Sequence, residues 1–99
     1  MVENVKVLKL ETGEEVVAQI DEGDDNFVLI NPVRFMMVQN AQQGVGMEMH
    51  PYIMLTSDTE FTLAKNRVLL VCEPVTEILN AYTNQFNDIA VPPQPQIIT

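Results

Sequence analysis

The chain has 99 residues, 46% of them hydrophobic and 19% charged, which is enough for one domain with a single core, near the size where burial becomes marginal. Its formal net charge is −9, with only five Lys and Arg residues, and this opposes broad contact with DNA or an anionic membrane, because phosphate binding needs clustered cations. No apolar run approaches the roughly 18 residues of a membrane-spanning helix.

The opening MVENVKVLKL carries Glu3 early and alternates polar with apolar residues, unlike the basic-then-apolar build of a secretory signal, so a cytoplasmic protein is expected. Val5, Val7, Leu8 and Leu10 mark a first strand that ends at the glycine turn ETGE. EVVAQI is the second strand, with Val16, Ala18 and Ile20 on one face and Val17 and Gln19 on the other. DEGDDN is the next turn. A calcium loop would place oxygen ligands at alternate positions with glycine sixth, whereas here the glycine is third and no helices flank it, so a solvated hairpin turn is expected. FVLINPVRFMMV then forms a long third strand, bent or bulged at Asn31 and Pro32 because proline cannot donate to a ladder.

NAQQGVG, residues 40–46, reads as a loop before a fourth strand through Met47, Met49, Tyr52 and Met54, interrupted at Pro51. Further strand structure at Phe61 and Leu63 leads to a tight turn at Lys65 and Asn66. Val68 to Cys72 is five apolar residues in a row, the pattern of a strand buried on both faces, and it places the single cysteine in the core. After Pro74 the period changes: Val75, Ile78, Leu79, Tyr82 and Phe86 share one face of a helix expected over 74–87. The remainder, 89–99, is an extended tail rich in Pro and Gln.

These elements predict a mainly β domain over 1–88: a small, strongly bent, five-stranded antiparallel barrel over about 3–73 with a C-terminal amphipathic helix. An apolar strand left at a sheet edge invites pairing with another chain. A cyclic homo-oligomer is therefore expected, with Met47, Met49, Val68, Leu69, Leu70 and Val71 at the subunit interface.

The stretches VKVLKLETGEEVVAQIDEGDDNFVLINP and KNRVLLVCEP resemble the two sequence motifs of the Sm-like family, which includes the LSm and Hfq proteins. The likeness covers about residues 3–73 and is nearest to the small Sm-like proteins of tailed phages that infect marine cyanobacteria. It implies a barrel that closes into a ring by pairing its fourth strand with a neighbour's fifth, and single-stranded RNA held at the pore. The matching positions are Asp21 and Asn26 in the first motif, with Lys65 and Arg67 as a basic ring in the second. The chain departs from the pattern at three points. Asp24 stands where a side chain should stack on a base, the glycine beside the basic residue is missing, and the helix follows the strands instead of preceding them.

The remaining chemistry is sparse. His50, with Glu48 two residues earlier, falls short of a metal set, and no nucleophile elbow, phosphate-cradling glycine loop or zinc spacing occurs. No enzyme activity and no cofactor are expected. The methionines at 36, 37, 47, 49 and 54 read as core and interface filler. Three functions follow: an oligomeric scaffold whose helix or tail holds a protein partner, a ring that binds single-stranded RNA, or a ring that binds a small ligand in its pore.

Overall fold

The computed structural model describes residues 2–40, 42, 44–86 and 96–98. Strands β1 (Val5–Leu10), β2 (Glu15–Glu22), β3 (Asn26–Asn40), β4 (Gly44–Pro51), β5 (Glu60–Ala64) and β6 (Val68–Cys72) precede helix α1 (Thr76–Phe86), and a short β7 (Gln96–Ile98) follows it. All pairings are antiparallel, in the order β6-β1-β2-β3-β4-β7, with β5 also on β3. The expected five-stranded barrel is thus corrected to six strands before the helix, in a sheet that does not close. The free edges of β5 and β6 are successive in the chain and joined by one 3-10 turn, Lys65–Arg67, but they do not pair with each other.

The bend expected at Asn31 and Pro32 organises this topology. Val17 faces Val33 while Gln19 faces Ile30, so two steps on β2 span three on β3 and the extra residue forms a bulge. Asn31 takes a positive φ of 51° there, a conformation that asparagine tolerates better than most residues. Before the bulge β3 pairs with β5, and after it with β4. One long strand therefore serves two partners: the expected fourth strand ends at Pro51, short of Met54, and the further strand expected at Phe61 and Leu63 is β5.

Alternation along the strands divides the apolar residues between two faces. Leu8, Leu10, Val16, Ala18, Ile20, Phe27 and Leu29 form a core on the concave face, with Tyr52, Leu63 and Val68 packed against it. Val5, Val17, Val33 and Met49 form the other face, which α1 covers with Tyr82 and Phe86. The two rings lie 4.6 Å apart, tilted by 47°. Burying each aromatic side chain contributes roughly 1.5–3 kcal/mol. The helix thus occupies the outside of the curved sheet.

Two expectations fail at the end of the sheet. Val68–Cys72 is not buried on both faces: only Val68 is half-buried, and the other four residues are exposed. Cys72 is likewise an exposed free thiol instead of a core residue. Both follow from the open barrel, because β6 has β1 on one side and no strand of the described chain on the other. In the tail, residues 89–95 and 99 lie outside the described residues, and Gln96–Ile98 pairs with Met47–Met49.

Candidate functional site

The residues expected to hold RNA are only partly gathered. Asn26 opens β3 directly opposite Ala64, and the neighbouring Lys65 N–H donates to the Asp25 carbonyl at 3.0 Å, so Asn26 and Lys65 share one end of the sheet. Asp21 sits further along β2, opposite Val28, and is exposed. Arg67 turns to a different hairpin: its carbonyl accepts from the Glu11 N–H at 3.0 Å, and its guanidinium pairs with the Glu11 carboxylate. The 3-10 turn therefore sends its two cations to two separate places. Asp24, at the position for base stacking, is exposed.

Each of the five cations already has an anionic partner. Lys65 meets Glu22 at 2.7 Å while lying 5.4 Å from the centre of the Phe27 ring. Lys6 meets Glu73 at 2.6 Å, Lys9 meets Glu15 at 3.4 Å, Arg34 meets Glu14 at 3.5 Å, and Arg67 pairs with Glu11. Such surface pairs contribute at most about 1 kcal/mol each to stability. Their effect on recognition is larger, because a phosphate would have to compete with a tethered carboxylate at every basic position of a chain whose net charge is −9.

The apolar candidates are arranged differently. In the β1–β6 register Val7 faces Cys72, Leu8 faces Val71, Lys9 faces Leu70 and Leu10 faces Val68, with the irregularity falling at Leu69. Val68 and Val71 thus lie on the concave face, and Leu70 and Cys72 on the face that carries α1. Leu69, Leu70 and Val71 are 63%, 59% and 48% exposed. On the opposite free edge, Phe61 and Leu63 face Leu29 and Phe27 on the concave side. The other two interface candidates belong elsewhere. Met49 is fully buried beneath α1, Met47 is half-buried, and the outer edge of β4 is taken by β7 of the same chain. Of the five methionines read as filler, Met36, Met37 and Met54 are exposed.

Two further features were not singled out from the sequence. Ile53, Met54 and Leu55, just past Pro51, are 45%, 63% and 100% exposed. Their apolar character placed them in a strand, and the signal of a loop was Pro51 ahead of the polar TSDT. The second feature is a groove of about 470 Å³ between β6 and α1, walled by Val7, Leu70, Cys72, Val75 and Ile78 and by the charged Lys9, Glu15 and Glu73, with Val75 itself 67% exposed. On the concave side, Tyr52 donates to the Glu14 carboxylate at 2.8 Å, and Arg34 approaches the same group. Burial, and then that hydrogen bond, push the Tyr52 hydroxyl above its usual range. Glu48 and His50 hold each other at 2.6 Å, and among the described residues no three metal-ligating side chains gather. No helix among them is long and apolar enough to cross a membrane.

The model of a family of unknown function, DUF6561, matches residues 3–87, so the chain belongs to that family. No curated protein matches the chain. The match spans all six strands that precede the helix and the whole of α1, both apolar faces of the sheet included.

Proposed function

We propose that this DUF6561 protein is a non-enzymatic, ring-forming scaffold of the Sm-like kind, in which β6 of one subunit pairs with β5 of the next. The observation that carries the reading is the exposure of Leu69, Leu70 and Val71 on a strand whose outer edge has no partner among the described residues. Exposed apolar edges are sites of pairing between chains, and natural monomers blunt them with charge or proline. β6 contains neither, since its sequence is VLLVC. The strand order supports the reading too. The concave face is walled by β6-β1-β2-β3-β5, a five-membered arc that ends in two unpaired edges, and one added strand at each end would extend it into a neighbour. A ring of this kind presents α1 on its outside, where a protein partner has access to it.

A second reading, single-stranded RNA held at the pore, draws on the apposition of Asn26 and Lys65 at one end of the sheet. The ion pair between Lys65 and Glu22, and the removal of Arg67 to Glu11, weigh against it. The scaffold is therefore the preferred function.

The test is the mass of the protein in solution by light scattering across a dilution series. A multiple of the 11.2 kDa monomer is expected. The double variant Leu70→Lys, Val71→Lys places charge on both faces of the edge and should leave a folded monomer. A wild-type protein that stays monomeric at every concentration would overturn the scaffold.

A further inference from the structure

The exposed loop and the apolar groove lie at opposite edges of the same subunit, and strand pairing between subunits would bring them together. We infer that Ile53, Met54 and Leu55 of one copy seat in the groove between β6 and α1 of the next copy. This rests on the β5–β6 pairing proposed above and adds to it a second contact, an orientation and a partner, namely another copy of this chain.

The two surfaces match in chemistry. Leu55 is 100% exposed and Met54 63%, at a bend that holds them away from their own core. The groove presents Val7, Leu70, Val75 and Ile78 beside the Lys9–Glu15 ion pair and Glu73, with Leu70 59% and Val75 67% exposed. Neither surface has a covering element among the described residues, and each presents several adjacent apolar side chains to water, which costs free energy in a monomer.

Connectivity decides where they meet. The loop immediately precedes β5, and the groove is built on β6 and the first turn of α1, which immediately follows β6. If β5 runs antiparallel to the neighbour's β6, Glu60 lies beside Cys72, and the loop arrives at Val75. The five steps from Leu55 to Glu60 reach at most about 17 Å, and the three from Cys72 to Val75 about 10 Å, so no rearrangement of the chain is needed. If the strands ran parallel, the loop would instead arrive at Lys65–Arg67, a polar turn that offers no apolar surface. Apolar complementarity therefore selects the antiparallel pairing, as in every pairing within the subunit. Because loop and groove are different parts of the same surface, the contact is head-to-tail, and it closes into a ring when the rotation per subunit permits.

Cysteine cross-linking of the full chain tests this directly, because Cys72 is the only cysteine to remove. In a Cys72→Ser background, Leu55→Cys with Val75→Cys should form intermolecular disulfides on oxidation and give a ladder of covalent multimers. Leu55→Cys with Asn66→Cys should not. In parallel, Leu55→Asp should weaken self-association at least tenfold while leaving the thermal midpoint unchanged, since the side chain touches no core. An intact oligomer that cross-links 55 to 66, or that gives no 55–75 product and tolerates Leu55→Asp, would overturn the seating while leaving the scaffold in place. A wild-type monomer would overturn both.

Discussion

The Tyr82 hydroxyl donates to the carbonyl of Ile30 at 2.8 Å, from the middle of α1 to the residue that precedes the bulge in β3. The Asn31 carbonyl lies 3.0 Å from the same oxygen, which also accepts the N–H of Gln19 at 3.2 Å. The bulge breaks the ladder between β2 and β3 at this point, leaving backbone groups without their regular partners. A phenol from the helix supplies what the ladder cannot. The helix is thus fastened to the one bend on which the partner switch of β3 depends.

Replacing Tyr82 by Phe keeps the ring and its stacking on Phe86 but strands buried polar groups of Gln19, Ile30 and Asn31. The expected loss is about 1–3 kcal/mol of folding stability, the cost of leaving such groups unpaired. Tyr82→Ala also removes the ring, and about 3–5 kcal/mol is expected. Urea unfolding of the three proteins checks the order; equal midpoints for Tyr82→Phe and wild type would show that the hydroxyl is not holding the bulge.

Burial pushes the Tyr82 hydroxyl up from 10.0 to about 12, against the smaller lowering effect of the Gln19 N–H. Below pH 10 both folded and unfolded chains keep the proton, and the contribution of the neutral phenol is complete. Between pH 10 and 12 only the unfolded chain releases it, so stability falls as pH rises. The loss approaches about 2.7 kcal/mol for a shift of two units. Unfolding at pH 9 and pH 11.5 should show this decline in wild type and a shallower one in Tyr82→Phe.

Much of this architecture was legible from local pattern. The alternation in EVVAQI set Val16, Ala18 and Ile20 apart from Val17, and the two cores divide them the same way. The helical face through Ile78, Tyr82 and Phe86 was visible at its period, and the helix begins two residues later than expected. Pro32 marked the bend. What could not be read was the partner of each strand. Pro51 pairs with Val33 beyond the bulge while the Thr59 carbonyl accepts from the Asn31 N–H within it, so two successive apolar segments take different places along the same strand.

The site was less legible for the same reason. A run such as VLLVC reports hydrophobicity, and the same run serves a strand buried within one chain or one that awaits a second. Only the strand order shows that nothing of the described chain lies beyond Leu69–Val71. Likewise KNR looked like one basic spot, because adjacent residues in sequence were assumed to face one place. The 3-10 turn gives Lys65 and Arg67 separate acidic partners on separate hairpins.

The ion pairs make a claim about RNA. Short single-stranded U-rich or A-rich RNA is expected to bind wild type weakly or not at all at low salt, by fluorescence anisotropy. The double variant Glu11→Gln, Glu22→Gln frees both cations of the turn and reduces the net charge from −9 to −7 by removing two carboxylates. If the carboxylates are the obstacle, affinity should rise and should fall again with added salt. Tight, salt-sensitive binding by wild type, lost in Lys65→Ala, would instead favour the RNA reading.

Salt should act on assembly with the opposite sign. Each added subunit brings a net charge of −9 towards its neighbours, while the proposed contacts at β6, the loop and the groove are apolar. Screening therefore removes a repulsion and leaves the attraction, as the Debye length shrinks from about 30 Å at 0.01 M salt to about 10 Å at 0.1 M. Self-association should tighten several-fold over that range, followed by sedimentation at fixed protein concentration. A ring held by ion pairs across its interfaces would loosen instead, so the sign of the salt effect distinguishes an apolar interface from a charged one without knowledge of the subunit number.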